Sequence, residues 1–139
     1  MTALTPALEE FLDGQVVGVL ATEPADGHAR QSVVYYVRDG DRLLISSVAD
    51  RAKVRDVERS GWASLCVMAP QHPFPSATFS GSADVLTQDI GVATAAIAQH
   101  FMRSEQPPEP QTDEALAAVG RVIIAIAVER VAAVSQLEQ

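Results

Sequence analysis

Apolar and polar positions in this chain fall mostly into short runs with the two-residue period of strands, broken by a few stretches with helical period. Leu8, Phe11 and Leu12 share one helical face after Thr5-Pro6, a hydroxyl cap with proline at the first helical position, and Gly14 follows. The spacing predicts a helix over residues 5–13. Residues 16–22 (VVGVLAT) read as a buried strand and residues 23–27 (EPADG) as a turn. Two further strands, over 29–38 and 42–47, are joined by a tight hairpin at Asp39-Gly40. A short helix is predicted over 50–59, then strands over 62–69 and 76–87 on either side of a loop holding Pro70, Pro73 and Pro75. Ile90, Thr94, Ile97 and Phe101 line one face of a helix that runs to Met102. Residues 104–114 are proline-rich and acidic, the composition of a mobile loop. Residues 121–134 read as one long final strand.

Six strands, few helices and no βαβ alternation predict a mainly β fold, a six-stranded antiparallel barrel with short flanking helices in a single domain over 1–139. The last strand carries a further message. Val122, Ile124, Ile126 and Val128 alternate with Ile123, Ala125 and Ala127, so both of its faces are apolar. A barrel strand needs only its inward set to be apolar, and the outer set therefore needs cover. A helix can provide that cover, and so can a second subunit. A homodimer is the expectation.

Composition narrows the function. Hydrophobic residues make up 47% and charged residues 20%, as in ordinary globular proteins. A formal net charge of -8 argues against a nucleic-acid partner, although a local basic pocket for a small anion is compatible with it. No run reaches the roughly 20 apolar residues that span a bilayer, and the first residues carry acid rather than the basic head of a secretory signal. No membrane partner and a cytoplasmic location are expected. Cys66 is the one cysteine; it alternates with Trp62, Ser64 and Met68 along a strand and is read as a core residue. His28, His72 and His100 show no metal-ligand spacing, so no metal is expected. Gly81, in mid-strand, reads as a bulge or a site of close backbone approach.

The chain is rich in arginine, and Lys53 is its single lysine. On a helix over 50–59, Arg51, Arg55 and Arg59 form one stripe at spacing four. Lys53 falls beside Val54 and Val57, at the border of the packed face, where an ammonium must either snorkel out or meet an anion. Ser46 and Ser47 end the preceding strand, and the first turn of the helix offers unpaired N–H groups. These groups can converge on a phosphate. The alternative is a solvated helix whose Asp50, Asp56 and Glu58 pair with its own arginines.

Taken in order, GVLAT (18–22), SVVYYV (32–37), RLLISS (42–47), DRAKVRDVERSGWASLCV (50–67) and FSGSADVL (79–86) resemble the pyridoxamine 5'-phosphate oxidase-like proteins, the FMN-binding split β-barrels. The RAKVRDVER segment most resembles the deazaflavin (coenzyme F420)-dependent reductases of actinobacteria, which commonly show RAKxRNL. The resemblance implies a homodimer with cofactor sites at the subunit interface. It implies that Arg51, Ala52 and Lys53, with Ser46 and Ser47, hold the cofactor phosphate, and that Ser32, Val33 and Val34 lie along its ring system. The loop over 68–74 is expected to come from the partner. Arg55, Arg30 and Arg38 are candidates to meet the acidic tail of F420. Asp56 stands where the family commonly has asparagine, and Gly61-Trp62 where it has proline. The chain ends at Gln139 without the C-terminal substrate residues of the vitamin B6 oxidases. The implied activity is hydride transfer from reduced F420 to a small organic acceptor. An FMN oxidoreductase and a non-enzymatic cofactor carrier are the alternatives. No catalytic residue is singled out; a hydroxyl such as that of Tyr35 or Tyr36 can deliver a proton.

Overall fold

The computed structural model describes residues 3–137. Seven strands and four helices follow in the order α1 (Pro6–Gly14), β1 (Val17–Thr22), β2 (Arg30–Asp39), β3 (Arg42–Val48), α2 (Ala52–Ser60), β4 (Trp62–Met68), β5 (Ser76–Leu86), α3 (Gly91–Met102), α4 (Asp113–Ala118), β6 (Arg121–Ala127) and β7 (Arg130–Ser135). The strands are joined antiparallel in the order β4-β1-β2-β3-β6-β5, and pairing of β4 with β5 closes a six-stranded barrel. β7 adds to the first half of β5 outside this ring.

Inside the barrel, β2 contributes Val34 and Tyr36, β3 Leu43 and Ile45, β4 Ala63, Leu65 and Val67, and β6 Val122, Ile124 and Ile126. The helix predicted from Thr5-Pro6 is α1: Thr5 Oγ1 accepts from the Leu8 N–H at 3.3 Å, and Leu8, Phe11 and Leu12 join this core. The Tyr36 hydroxyl donates to the Leu12 carbonyl at 2.6 Å, satisfying a fully buried phenol. Val54 and Val57 of α2 enter the same core, as their spacing predicted. The hairpin at Asp39-Gly40 is also present, with Asp39 opposite Arg42 and Gly40 at a φ of 61°.

Three features differ from the sequence reading. The long final strand is two strands, because the chain turns at Val128-Glu129 and leaves β6 to pair as β7 with the other half of β5. The turn is pinned: the Val128 N–H donates to Asp41 O and the Glu129 N–H to Ser80 O, each at 2.9 Å. Secondly, the apolar outer face of β6 is covered from within the chain. Ile123 and Ala125 pack with Leu44, Ile90, Ile97 and Leu116, so α3 and an unanticipated short helix, α4, form a second core on this side. Thirdly, Cys66 is exposed rather than buried. Ala63, Leu65 and Val67 take the inward positions of β4, which leaves Trp62, Ser64, Cys66 and Met68 for the other face.

Candidate functional site

The barrel is not laced uniformly. Between β2 and β3 the ladder runs only from Tyr36 opposite Ile45 to Asp39 opposite Arg42. Beyond it, β2 continues along β1 through Tyr35, Val34, Val33, Ser32, Gln31 and Arg30, while β3 continues along β6 through Ser46, Ser47 and Val48. The two strands therefore diverge, and an edge of β2 faces an edge of β3 across a split. Sheet edges with free N–H and C=O groups are places where a ligand can be held by the main chain.

At the end of that split the chain turns from β3 into α2. The Ala49 N–H donates to Gly120 O at 2.8 Å and the Arg51 N–H to Val48 O at 3.0 Å, which fixes the corner. Arg51 occupies the N-cap and gives no side-chain bond to the helix. Among the described residues the N–H groups of Ala52 and Lys53 have no protein acceptor, so the positive end of α2 is open. Lys53 is half-buried and in no ion pair among the described residues. Burial, and then the neighbouring Arg51 charge, hold its ammonium below the usual lysine pKa. An anion at this corner would relieve both effects. Ser47 Oγ, on the barrel side of β3 opposite Val122, is buried with no hydrogen-bond partner among the described residues, whereas Ser46 Oγ, on the other face, accepts from Arg121 Nη1 at 3.2 Å.

Of the residues expected to act together, Ser46, Ser47, Arg51, Ala52 and Lys53 follow one another around this corner, and the divergent stretch of β2 contains Ser32, Val33 and Val34. Their side chains point differently. Val33 is 72% exposed on the outer face, whereas Val34 is buried inside the barrel, so only the main chain of Val34 can reach a ligand outside it. Arg55 is exposed and bonds Asp50 O at 2.6 Å; it shares a groove with Arg30 and Arg59. Arg38 is elsewhere, bound to Asp13 at 2.9 Å and Glu9 at 3.0 Å of α1, so it is no candidate for the tail of a cofactor. Tyr36, committed inside the barrel, delivers no proton to a ligand at the split; Tyr35 faces outward and is half-exposed.

Asp56 does not pair with the arginines of its own helix. It is buried, and accepts from Thr22 Oγ1 at 2.8 Å and Arg30 Nε at 2.7 Å, tying α2 to β1 and β2. Burial raises its pKa, and the hydrogen bonds from Arg30 and Thr22 outweigh that, leaving it below the usual carboxylate value. Arg121 is the residue that the sequence reading missed. The available signal was a lone cation heading an otherwise apolar strand; its proximity to Ser46 depends on the β3–β6 register, in which Val48 lies opposite Arg121. No group of three or more His, Cys, Asp or Glu that could hold a metal ion occurs among the described residues. No helix of the described residues is long and apolar enough to cross a membrane.

An open helix N-terminus, a half-buried lysine in no ion pair among the described residues and an N-cap arginine suit a phosphate monoester. Residues 4–135 match the pyridoxamine 5'-phosphate oxidase family, and the chain belongs to it. Among solved structures it is similar to an F420 reductase, at 21% identity over 93% of this chain and 98% of that one, with a TM-score of 0.74. It is equally similar in fold to an FAD and heme binding protein from Mycobacterium smegmatis, with a TM-score of 0.74 and 20% identity over 94% of this chain and 70% of that one. A heme storage protein from Vibrio cholerae has a TM-score of 0.64 at 19% identity, over 95% and 94% of the two chains. No curated protein matches the sequence significantly.

Proposed function

We propose that the protein is an oxidoreductase that binds coenzyme F420 at the split and catalyses hydride transfer to a small organic acceptor. The observation that carries this reading is the β3–α2 corner, where Lys53 is half-buried and unpaired at an uncapped helix N-terminus. Arg51 and Lys53, the N–H groups of Ala52 and Lys53, and the hydroxyl of Ser46 would hold the cofactor phosphate; Ser47, expected to join them, lies opposite Val122 with its hydroxyl buried on the barrel side. The main chain of β2 at Ser32, Val33 and Val34 would align the ring system. Reduced F420, when bound, supplies the hydride; this chain binds, orients and excludes water. The Tyr35 hydroxyl, which faces outward, would give the proton. Membership of the family and the likeness to an F420 reductase support the reading.

FMN presents the same phosphate, so the corner alone does not separate the two cofactors. The groove of Asp26, Arg30, Arg55, Asp56 and Arg59 holds three cations to two carboxylates; Asp56 is taken up by Arg30, and Arg55 and Arg59, in no ion pair among the described residues, would meet the acidic tail of F420. A homodimer in the cytoplasm completes the reading. Its support is the outward apolar face of β1, β2 and β4, where Val19 lies between Val33 and Cys66.

Titration of the purified protein with F420 and FMN, followed by absorbance and fluorescence, tests the assignment. F420 is expected to bind at micromolar concentration. Lys53→Ala should weaken both cofactors by about tenfold or more, as expected for a lost charge-assisted contact. Arg59→Ala should weaken F420 less than that and leave FMN unchanged. Binding of FMN without F420 would sink the F420 assignment, and equal effects of the two substitutions on both cofactors would remove the phosphate from this corner.

A further inference from the structure

Beneath α3, against the outer face of the sheet, lies a cleft of about 300 Å³ lined by Tyr35, Ser46, Phe101, Gln111 and Arg121. Its composition is unlike that of the phosphate corner. The rings of Tyr35 and Phe101 stack with centroids 4.4 Å apart and planes 23° apart. Both stay partly exposed, so the pair presents an aromatic wall instead of filling a core. Arg121 is half-buried. Its Nη1 donates to Ser46 Oγ at 3.2 Å and to Ser47 O at 3.4 Å. Its Nε and Nη2 groups have no acceptor among the described residues, and it forms no ion pair there. A guanidinium held in place through one nitrogen, with its remaining donors free beside an aromatic wall, is preorganised for a carboxylate attached to a flat ring.

We infer that this cleft is the acceptor subsite and that Arg121 recognises its ligand, a small conjugated carboxylate of one or two rings. The volume lies at the lower end of ligand pockets, which fits a molecule of that size. Ser46 joins the two sites, because it ends the β3 edge of the split and also anchors Arg121. A compact phosphate would thus be held by Lys53 on one side of Ser46, and a planar acid by Arg121 on the other. The role as acceptor subsite rests on the oxidoreductase reading above; recognition of the carboxylate by Arg121 does not.

Calorimetric titration with 2-naphthoate and its methyl ester, with and without saturating F420, tests the inference on the full chain. Naphthoate is expected to bind in both conditions, and the ester about tenfold more weakly, as for loss of a charged hydrogen-bonded pair. Arg121→Gln should remove that preference, Arg121→Lys should recover part of it, and the solvent-facing Arg103→Gln should leave it intact. Equal binding of acid and ester by the unaltered protein would overturn the proposal whether or not the variants fold, and so would an unchanged preference in Arg121→Gln. Displacement of naphthoate by F420 would assign the cleft to the cofactor ring and overturn the acceptor subsite. Failure of both F420 and FMN to bind while naphthoate binding and its Arg121 dependence persist would sink the oxidoreductase reading and leave the carboxylate site standing.

Discussion

Asp56 is a buried carboxylate on the helix that carries Lys53, and it is held by one hydroxyl and one guanidinium from two strands. Its folded pKa lies below the usual value, so its contribution to stability is present above the unfolded carboxylate pKa of about 4 and is lost as pH falls through the folded value. Asp56→Asn should therefore lower stability by about 2 kcal/mol at neutral pH, a hydrogen-bonded charge pair being worth that order. It should also flatten the acid limb of stability against pH. Urea midpoints measured from pH 7 down to pH 3 check both points, and an acid limb identical to that of the unaltered protein would refute the role of this latch. Lys53 shows the opposite situation, a charge in no ion pair among the described residues. A charge satisfied internally is structural, and a charge left waiting beside free N–H groups is the better candidate for binding.

Among the elements, β5 carries the most constraint. It pairs with β7 over its first half and with β6 over its second, and the change of partner falls at Gly81. A Cβ there would lie 1.8 Å from the Ala127 carbonyl oxygen and 3.0 Å from the Glu129 nitrogen, both backbone atoms. Neither can swing aside, since Glu129 also bonds the Ser82 N–H at 2.6 Å and the Ser82 hydroxyl at 2.5 Å through its carboxylate. Gly81→Ala should consequently cost about 3 kcal/mol or more through backbone displacement, seen as a large drop in the denaturation midpoint. A variant as stable as the parent would mean that β6 and β7 are not held against β5 in this way. The same crossing explains why one apolar run becomes two strands. Its residues all suit a strand, and the bend is imposed by contacts with Ser80, Gly81 and Asp41, distant in sequence.

At the scale of the molecule, the barrel is sheltered unevenly. Helices α3 and α4 cover β3 and β6, so the apolar face of β6 no longer argues for a second subunit. The uncovered face is that of β1, β2 and β4, where Val33, Val19, Cys66 and Thr78 lie in one cross-strand row. With Val33, Met68 and Trp62 exposed on the same sheet, this is the surface on which the proposed homodimer would close. Cys66→Arg places a charge at its centre without touching the barrel core. Sedimentation equilibrium should report twice the chain mass for the unaltered protein and the chain mass for Cys66→Arg. A dimer that persists in Cys66→Arg would move the interface elsewhere, and a monomeric parent would remove it.

Local pattern determined most of the elements of this protein: Thr5-Pro6 started α1, Asp39-Gly40 made the hairpin, and the spacing of Val54 and Val57 set the inward face of α2. These are short-range properties of backbone dihedrals, caps and apolar period, so they are written where they act. The corner around Lys53 was legible for the same reason, since Ser46, Ser47, Arg51 and Lys53 are close along the chain. What only the tertiary structure decided depends on neighbours that meet across the fold. The face of β4 exposing Cys66 was such a case, because alternation defines two faces and only packing selects the inner one. Others were the committed state of Tyr36 and Arg38, the pairing of Asp56 with Arg30, and the arrival of Arg121 beside Ser46. In each of these, strand register brought together residues that no local period connects.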